Sequence, residues 1–289
     1  MRHPLAEIFG FPYNCFSARA EHYRSNRLCP FNNKVPSCTK DKAQDPLGVC
    51  SVWEGDRAAI TCPIRFREDW IIASDAAQFF FPPGALWTSL TEVRLNDRTH
   101  RSAGNIDLVL VSYDPQGKIL DFGAVEVQGV YISGNVRDPF KKYMENPRAN
   151  FNMTWPGRNY PSPDYLSSSR KRLVPQLLYK GGILNHWQRK IAVVLTADFF
   201  ETLPELPQSS REDAEIAWFL YDLAGSPDAD EYHLQRVRTV YTQFKPSLDK
   251  IIVPEPGPVE EFIALLQEKL NQKLEFPPDA PTLLDSLGQ

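Results

Sequence analysis

Apolar and polar positions alternate in some parts of the chain and fall at helical spacing in others, and this divides it into recognisable segments. "IDLVLVSYD" and "ILDFGAVEVQGVYIS" are β-rich runs on either side of "DPQGK". The Asp, Pro and Gly between them are turn formers, so the pattern predicts an antiparallel hairpin. "SARAEHYRSNR" predicts a short helix capped by Ser17. "SSSRKRLVPQLLYKGGILNHW" opens with serine caps and continues helically, with Pro175 as a kink position. "KIAVVLTADFF" and "AEIAWFLYDL" read as two strands or as a strand and a helix, "VRTVYTQF" as a strand, and "GPVEEFIALLQEKLNQKL" as an amphipathic helix. "DWIIASDAAQFFFP" fits either element, and "NMTWPGRNYPSPDY" reads as loop. Residues 1–70 are rich in Asn, Pro, Arg and Cys with little periodicity, which predicts an irregular module that needs an internal staple. Residues 71–289 carry the regular elements, and the class is α/β or mixed α+β.

Within the hairpin, Glu126 and Gln128 interrupt an apolar strand. Residues two apart share a strand face, so the carboxylate and the amide point the same way while Val125 and Val127 point to the other layer. Asp107 opens the partner strand, and a return over "DPQGK" can bring it close to Glu126. Two converging carboxylates repel unless a cation lies between them. A divalent ion with oxygen ligands answers that need, and Mg²⁺ takes one or two carboxylates together with phosphate and water. Such an ion polarises a phosphodiester and generates a hydroxide nucleophile. Glu92, on the preceding segment, is a candidate third acid for a second ion, and Asp121 is a weaker competitor. Alternation also permits the plain reading of a solvated edge strand. "DFG" at 121–123 resembles a kinase metal-binding signature, but no glycine-rich loop and no "HRD" precede it, which excludes that class.

All five cysteines lie in the first quarter of the chain, an odd number without an export signal, which argues against a disulfide framework. Cys29, Cys38, Cys50 and Cys62 are separated by 8, 11 and 11 residues rich in turn formers. Four thiolates suit tetrahedral zinc or iron, although no CxxC knuckle is present. Cys15 is the alternative ligand. Buried free thiols are the competing reading.

The net charge of −4 means that contact with nucleic acid must come from a local basic surface. From Tyr165 to Lys190 there are six Lys or Arg and no Asp or Glu. Ser168, Ser169, Arg170, Lys171 and Arg172 at a helix start are the groups that hold phosphates. No apolar run approaches the length of a bilayer span and the start lacks a signal-peptide core, so a cytoplasmic protein without membrane attachment is expected.

With these residues in view, the sequence resembles the NotI family of type II restriction endonucleases. The stretches that carry the resemblance are "RLCPFNNKVPSCTKDKAQDPLGVCS", "AITCPIRFRE", "SLTEVRL", "SAGNIDLVLVSYD", "DFGAVEVQGVYISGNVRDPF" and "PDYLSSSRKRLVPQLLYKGG". The resemblance implies a PD-(D/E)XK nuclease core at 71–289 and, at 1–70, a cysteine-bound metal module that helps present DNA contacts. It further implies iron in the four-cysteine site, a homodimer, and Mg²⁺-dependent cleavage of double-stranded DNA at a GC-rich palindrome. Asp107 and Glu126 then correspond to the metal-binding acids, Glu92 to an additional acid, and Gln128 to the position usually held by lysine. An amide can only hydrogen-bond there, which shifts the work of activation to the ions. Two other readings compete: a metal-stabilised DNA-binding protein without cleavage, and a nuclease of repair.

Overall fold

In the computed structural model, residues 3–275 are described apart from 33–34, 43, 158, 226–229 and 254–255. The chain divides into two units, Met1–Ile252 and Val253–Gln289. The N-terminal elements are the strands β1 (Leu5–Ile8) and β2 (Phe11–Pro12), helix α1 (Ala18–Ser25), the small ribbon β3 (Asp41–Lys42) and β4 (Asp45–Pro46), and the strands β5 (Val49–Glu54) and β6 (Arg57–Ile60). The Ser17 hydroxyl accepts the Ala20 N–H, as its capping role predicts.

The first seventy residues are more regular than their composition suggests. Strands β2, β1, β5 and β6 form an antiparallel sheet in that order. Leu5, Ile8, Phe9, Val49 and Val52 pack in a buried cluster with Phe140 and Tyr143 from α3 (Arg137–Glu145). The strands are buried over nearly their whole length, so no two-residue alternation is visible from sequence, and the module shares an apolar core with α3 alongside its cysteines.

A six-stranded sheet forms the centre of the first unit. Its strands are β7 (Trp87–Asn96), β8 (Ser102–Tyr113), β9 (Ile119–Val127), β12 (Ile191–Thr196), β13 (Ile216–Ala224) and β14 (His233–Thr242), in the order β14-β13-β12-β9-β8-β7. The two-stranded pair β10 (Tyr131–Ser133) and β11 (Ser162–Asp164) lies between them in sequence. The hairpin β8–β9 turns on Asp114, whose carboxylate accepts the N–H groups of Gln116 and Lys118. Gly117 supplies the left-handed residue of that turn at φ +83°. Strands β9, β12 and β13 run parallel, so "AEIAWFLYDL" is a strand. The β9–β12 connection contains a helix, as a parallel crossover requires.

Helices cover both faces of the sheet. The segment that fitted either element is helix α2 (Ile71–Phe80), which packs Ile72, Ala73, Ala76 and Ala77 against Leu108, Leu110, Val125 and Val127. Phe80 lies so close over Gly123 that a Cβ there would meet the ring at 2.5 Å. On the other face, the basic segment from Tyr165 to His186 is helical throughout, α turns alternating with π turns at Ser169–Leu173 and Leu177–Gly181. Its Leu173, Leu177 and Leu184 pack with Val109, Val111 and Ala124. In the second unit, the predicted amphipathic helix spans Val259–Glu275, and none of its residues is buried.

One buried ion pair joins the N-terminal sheet to the large one. Arg65 donates to Glu7 on β1 at 2.9 Å, to Glu68 at 2.7 Å and to the Tyr232 carbonyl beside β14 at 2.7 Å. Glu7 and Arg65 are fully buried, and Glu7 also accepts the Ser51 hydroxyl. Removing the guanidinium leaves a buried carboxylate without its cation. Arg65→Met is expected to cost about 3–5 kcal/mol in denaturant unfolding, and a loss below about 1 kcal/mol would show that the pair does not join the sheets.

Candidate active site

The register of β8 and β9 places the two expected acids side by side. Leu108 pairs with Val125 and Val109 with Ala124, so Asp107 stands opposite Glu126. The Val127 N–H donates to Asp107 Oδ2 at 2.8 Å. On β7, Thr91 pairs with Leu108 and Val93 with Ile106, which puts Glu92 at the same level on the third strand. Glu92, Asp107 and Glu126 therefore form a row across adjacent strands. Glu92 has φ +56°, a left-handed conformation that is costly for a residue with a side chain. On β7, Trp87 packs on one face of the sheet, whereas Val93 and Leu95 pack on the other. Regular alternation would keep these odd-numbered residues together, and the irregular residue lies between them. The Glu92 carboxylate is exposed and lies 3.9 Å from Arg67.

Glu126 is 3% exposed and Gln128 is fully buried. Burial, together with the facing Asp107 carboxylate, pushes the Glu126 carboxyl up to about 8 against the pull of the Lys180 ammonium. Burial raises Asp107 as well, while the Val127 N–H, Lys180 and Arg172 oppose that rise and Glu92 adds to it. Lys180 donates to Glu126 Oε2 at 2.5 Å and to the Asn105 carbonyl at 2.8 Å. Gln128 donates through Nε2 to Gln176. Glu126 Oε1 and Gln128 Oε1 are buried acceptors without a hydrogen-bond partner. Two such oxygens on one strand face, beside Asp107, are the donor chemistry that a hard divalent cation takes. Among the described residues, however, no three His, Cys, Asp or Glu side chains stand close enough together to hold an ion as they are placed.

Lys180 and Gln176 escaped the reading of the sequence, yet a signal was there. Leu173, Leu177 and Leu184 mark the inward stripe of the basic helix, and at helical spacing position 180 belongs to that stripe. A lysine at a core position asks for a buried partner.

Other expected residues are distributed differently. Ser168 is buried, accepting the Tyr131 N–H and donating to the Asp164 carbonyl, so its hydroxyl is engaged inside the protein. Arg170 and Lys171 are exposed, while Ser169 and Arg172 are half-buried, the Arg172 guanidinium lying 5.5 Å from the Tyr131 ring centre. Asp121 pairs with Arg189 at 2.6 Å, apart from the row of acids.

Cys29, Cys38, Cys50 and Cys62 line one pocket together with Phe31, Lys40 and Arg65. The N–H groups of Phe31 and Asn32 point at the Cys29 sulfur, and that of Lys40 at the Cys38 sulfur. Burial pushes the Cys29 thiol up to about 11, and Cys62 and Cys38 add to the rise by mutual repulsion. Burial and the three other thiols also raise Cys50. Cys15 lies elsewhere, packed with Phe11 and Ala20 and hydrogen-bonded to Ser17 and Asp230, so it does not line the pocket. No helix among the described residues is long and apolar enough to cross a membrane.

The family model for restriction endonuclease NotI matches residues 14–234. No curated protein matches the chain. The matched stretch contains the row of acids, the helix that delivers Lys180 and the cysteine-lined pocket, and the chain belongs to the NotI restriction endonuclease family.

Proposed function

We propose that this protein is a type II restriction endonuclease whose catalytic core is of the PD-(D/E)XK kind and hydrolyses double-stranded DNA with Mg²⁺. The observation that carries the reading is the pairing of Asp107 with Glu126 on buried strands, with orphaned oxygens beside them. Asp107, Glu126 and, from the exposed side, Glu92 would hold the ion or ions. Bound Mg²⁺ supplies a polarised phosphodiester and an acidified water. Gln128 Oε1 would accept a hydrogen bond from the attacking water and orient it, since the amide's N–H₂ is already engaged by Gln176. Water attacks phosphorus, the bond to the 3′-oxygen breaks, and the products are a 5′-phosphate and a 3′-hydroxyl. Arg170, Lys171 and Arg172 lie on the helix that delivers Lys180, so backbone phosphates they bind are drawn toward the acids. Two copies of the chain would address a GC-rich palindrome. The four-cysteine pocket takes iron or zinc, with peptide N–H groups aimed at the sulfurs favouring the thiolate form that a metal needs.

Plasmid incubated with Mg²⁺ is expected to yield discrete fragments, and Glu126→Ala to slow cutting by at least about a hundredfold while site binding persists in Ca²⁺. Retained cutting by that variant would dismiss the site. Elemental analysis is expected to find about one iron or zinc per chain, lost in Cys38→Ser or Cys50→Ser together with thermal stability; metal-free native protein would refute the pocket's role.

The pH dependence of stability follows from Glu126. Its carboxyl is raised from 4.5 to about 8, so the folded protein keeps a proton that the unfolded chain releases in that interval. Stability of the metal-free protein therefore falls as pH rises from about 5 to about 8 and levels above that. Glu126→Gln, neutral throughout, is expected to flatten this part of a Tm-versus-pH curve, and an unchanged slope would contradict the assignment.

A further inference from the structure

Lys180 is 3% exposed. Burying an ammonium costs several kcal/mol unless charge and hydrogen bonds compensate. Compensation comes from Glu126 Oε2 and the Asn105 carbonyl, at 2.5 and 2.8 Å. The fit is built into the two elements. Gln176 and Lys180 are four residues apart on the helix and reach Gln128 and Glu126, two residues apart on the strand. The π turn at Leu177–Gly181 separates Gln176 from Lys180, and the two side chains reach their strand partners across it. The π turns on either side of Gln176 place about four residues in each turn, which holds positions 176 and 180 on one line.

The consequence is asymmetric. Of the two Glu126 oxygens, one is occupied by the ammonium and the other is buried without a partner. A carboxylate free at both oxygens could chelate a cation or rotate away from Asp107. With Oε2 clamped, only Oε1 is presented. The ammonium also repels any divalent cation that approaches, because the two share one carboxylate.

We propose that Lys180 is a positioning residue of the hydrolytic site: it clamps Glu126 through Oε2, presents Oε1 alone to the divalent cation, and holds that cation more loosely than the carboxylates would by themselves. The proposal rests on the endonuclease reading for its effect on turnover, and on the geometry alone for its effect on cation binding. A loosely held ion would leave more of its binding energy for the transition state than one satisfied by the carboxylates in the ground state.

Two substitutions drive cation affinity in opposite directions. Lys180→Gln removes the competing charge and frees Oε2, so Ca²⁺ measured by calorimetry without DNA is expected to bind about tenfold tighter, while kcat for plasmid cutting with Mg²⁺ falls about a hundredfold and KM for DNA stays within about threefold. Lys180→Arg places a forked donor that can cover both oxygens, and Ca²⁺ is expected to bind about tenfold more weakly. A purely structural lysine predicts looser binding in both variants, because damage to the site does not improve it. Ca²⁺ affinity that is unchanged or weaker in folded Lys180→Gln would overturn the proposal. Should that variant not fold, unchanged affinity in Lys180→Arg would overturn it equally. A parent protein that binds Ca²⁺ yet cuts no plasmid would defeat the endonuclease reading and leave the clamp standing.

Discussion

Two carboxylates held face to face on buried strands are the constraint around which the central region is organised. The antiparallel register that sets Leu108 against Val125 leaves Asp107 no position other than beside Glu126. Glu126 is buried and Asp107 half-buried, on the sheet face whose apolar cluster includes Val109, Ala124 and Leu177. Desolvation raises both acids, the Asp107 charge adding to the rise at Glu126 and the Glu92 charge to that at Asp107. The neighbouring groups meet that cost: the Val127 N–H binds Asp107, and the basic helix, anchored by Leu173, Leu177 and Leu184, carries Lys180 to Glu126. The proposed divalent cation would relieve this tension.

The cysteine-bearing module is coupled to this region through its packing. Arg65 lines the thiol pocket, lies over the Phe31 ring at 4.3 Å and continues to Glu7, Glu68 and the Tyr232 carbonyl. One guanidinium thus touches the pocket, the N-terminal sheet and the edge of the central sheet. A planar group with five donors can satisfy several acceptors at once, which a lysine in the same place could not. The N-terminal sheet accordingly belongs to the same unit as the strands that carry the acids.

Much of the architecture was legible. The β8–β9 hairpin, the Ser17 cap and the basic helix follow from local rules of turn chemistry, capping and periodicity, which depend on neighbours in the chain. The N-terminal sheet was not legible, because strands buried on both faces show no alternation and the abundance of Asn, Pro and Cys nearby masks them. Ser168 looked like a phosphate ligand by its place at a helix start, yet the Tyr131 N–H and the Asp164 carbonyl claim its hydroxyl. The contact with Tyr131 crosses 37 positions, and no local rule reports it.

At the site itself, the sequence by itself determined the acids, their strand faces and the amide at 128, because two-residue alternation is a property of the extended chain. It also placed a lysine on the inward stripe of a helix. Which groups meet was decided only by the tertiary structure. Lys180 and Glu126 lie 54 positions apart, and the side chains join only once the crossover helix packs onto the face that Glu126 and Gln128 share. Register and packing choose the partners of a buried charge, and both are set by the folded whole.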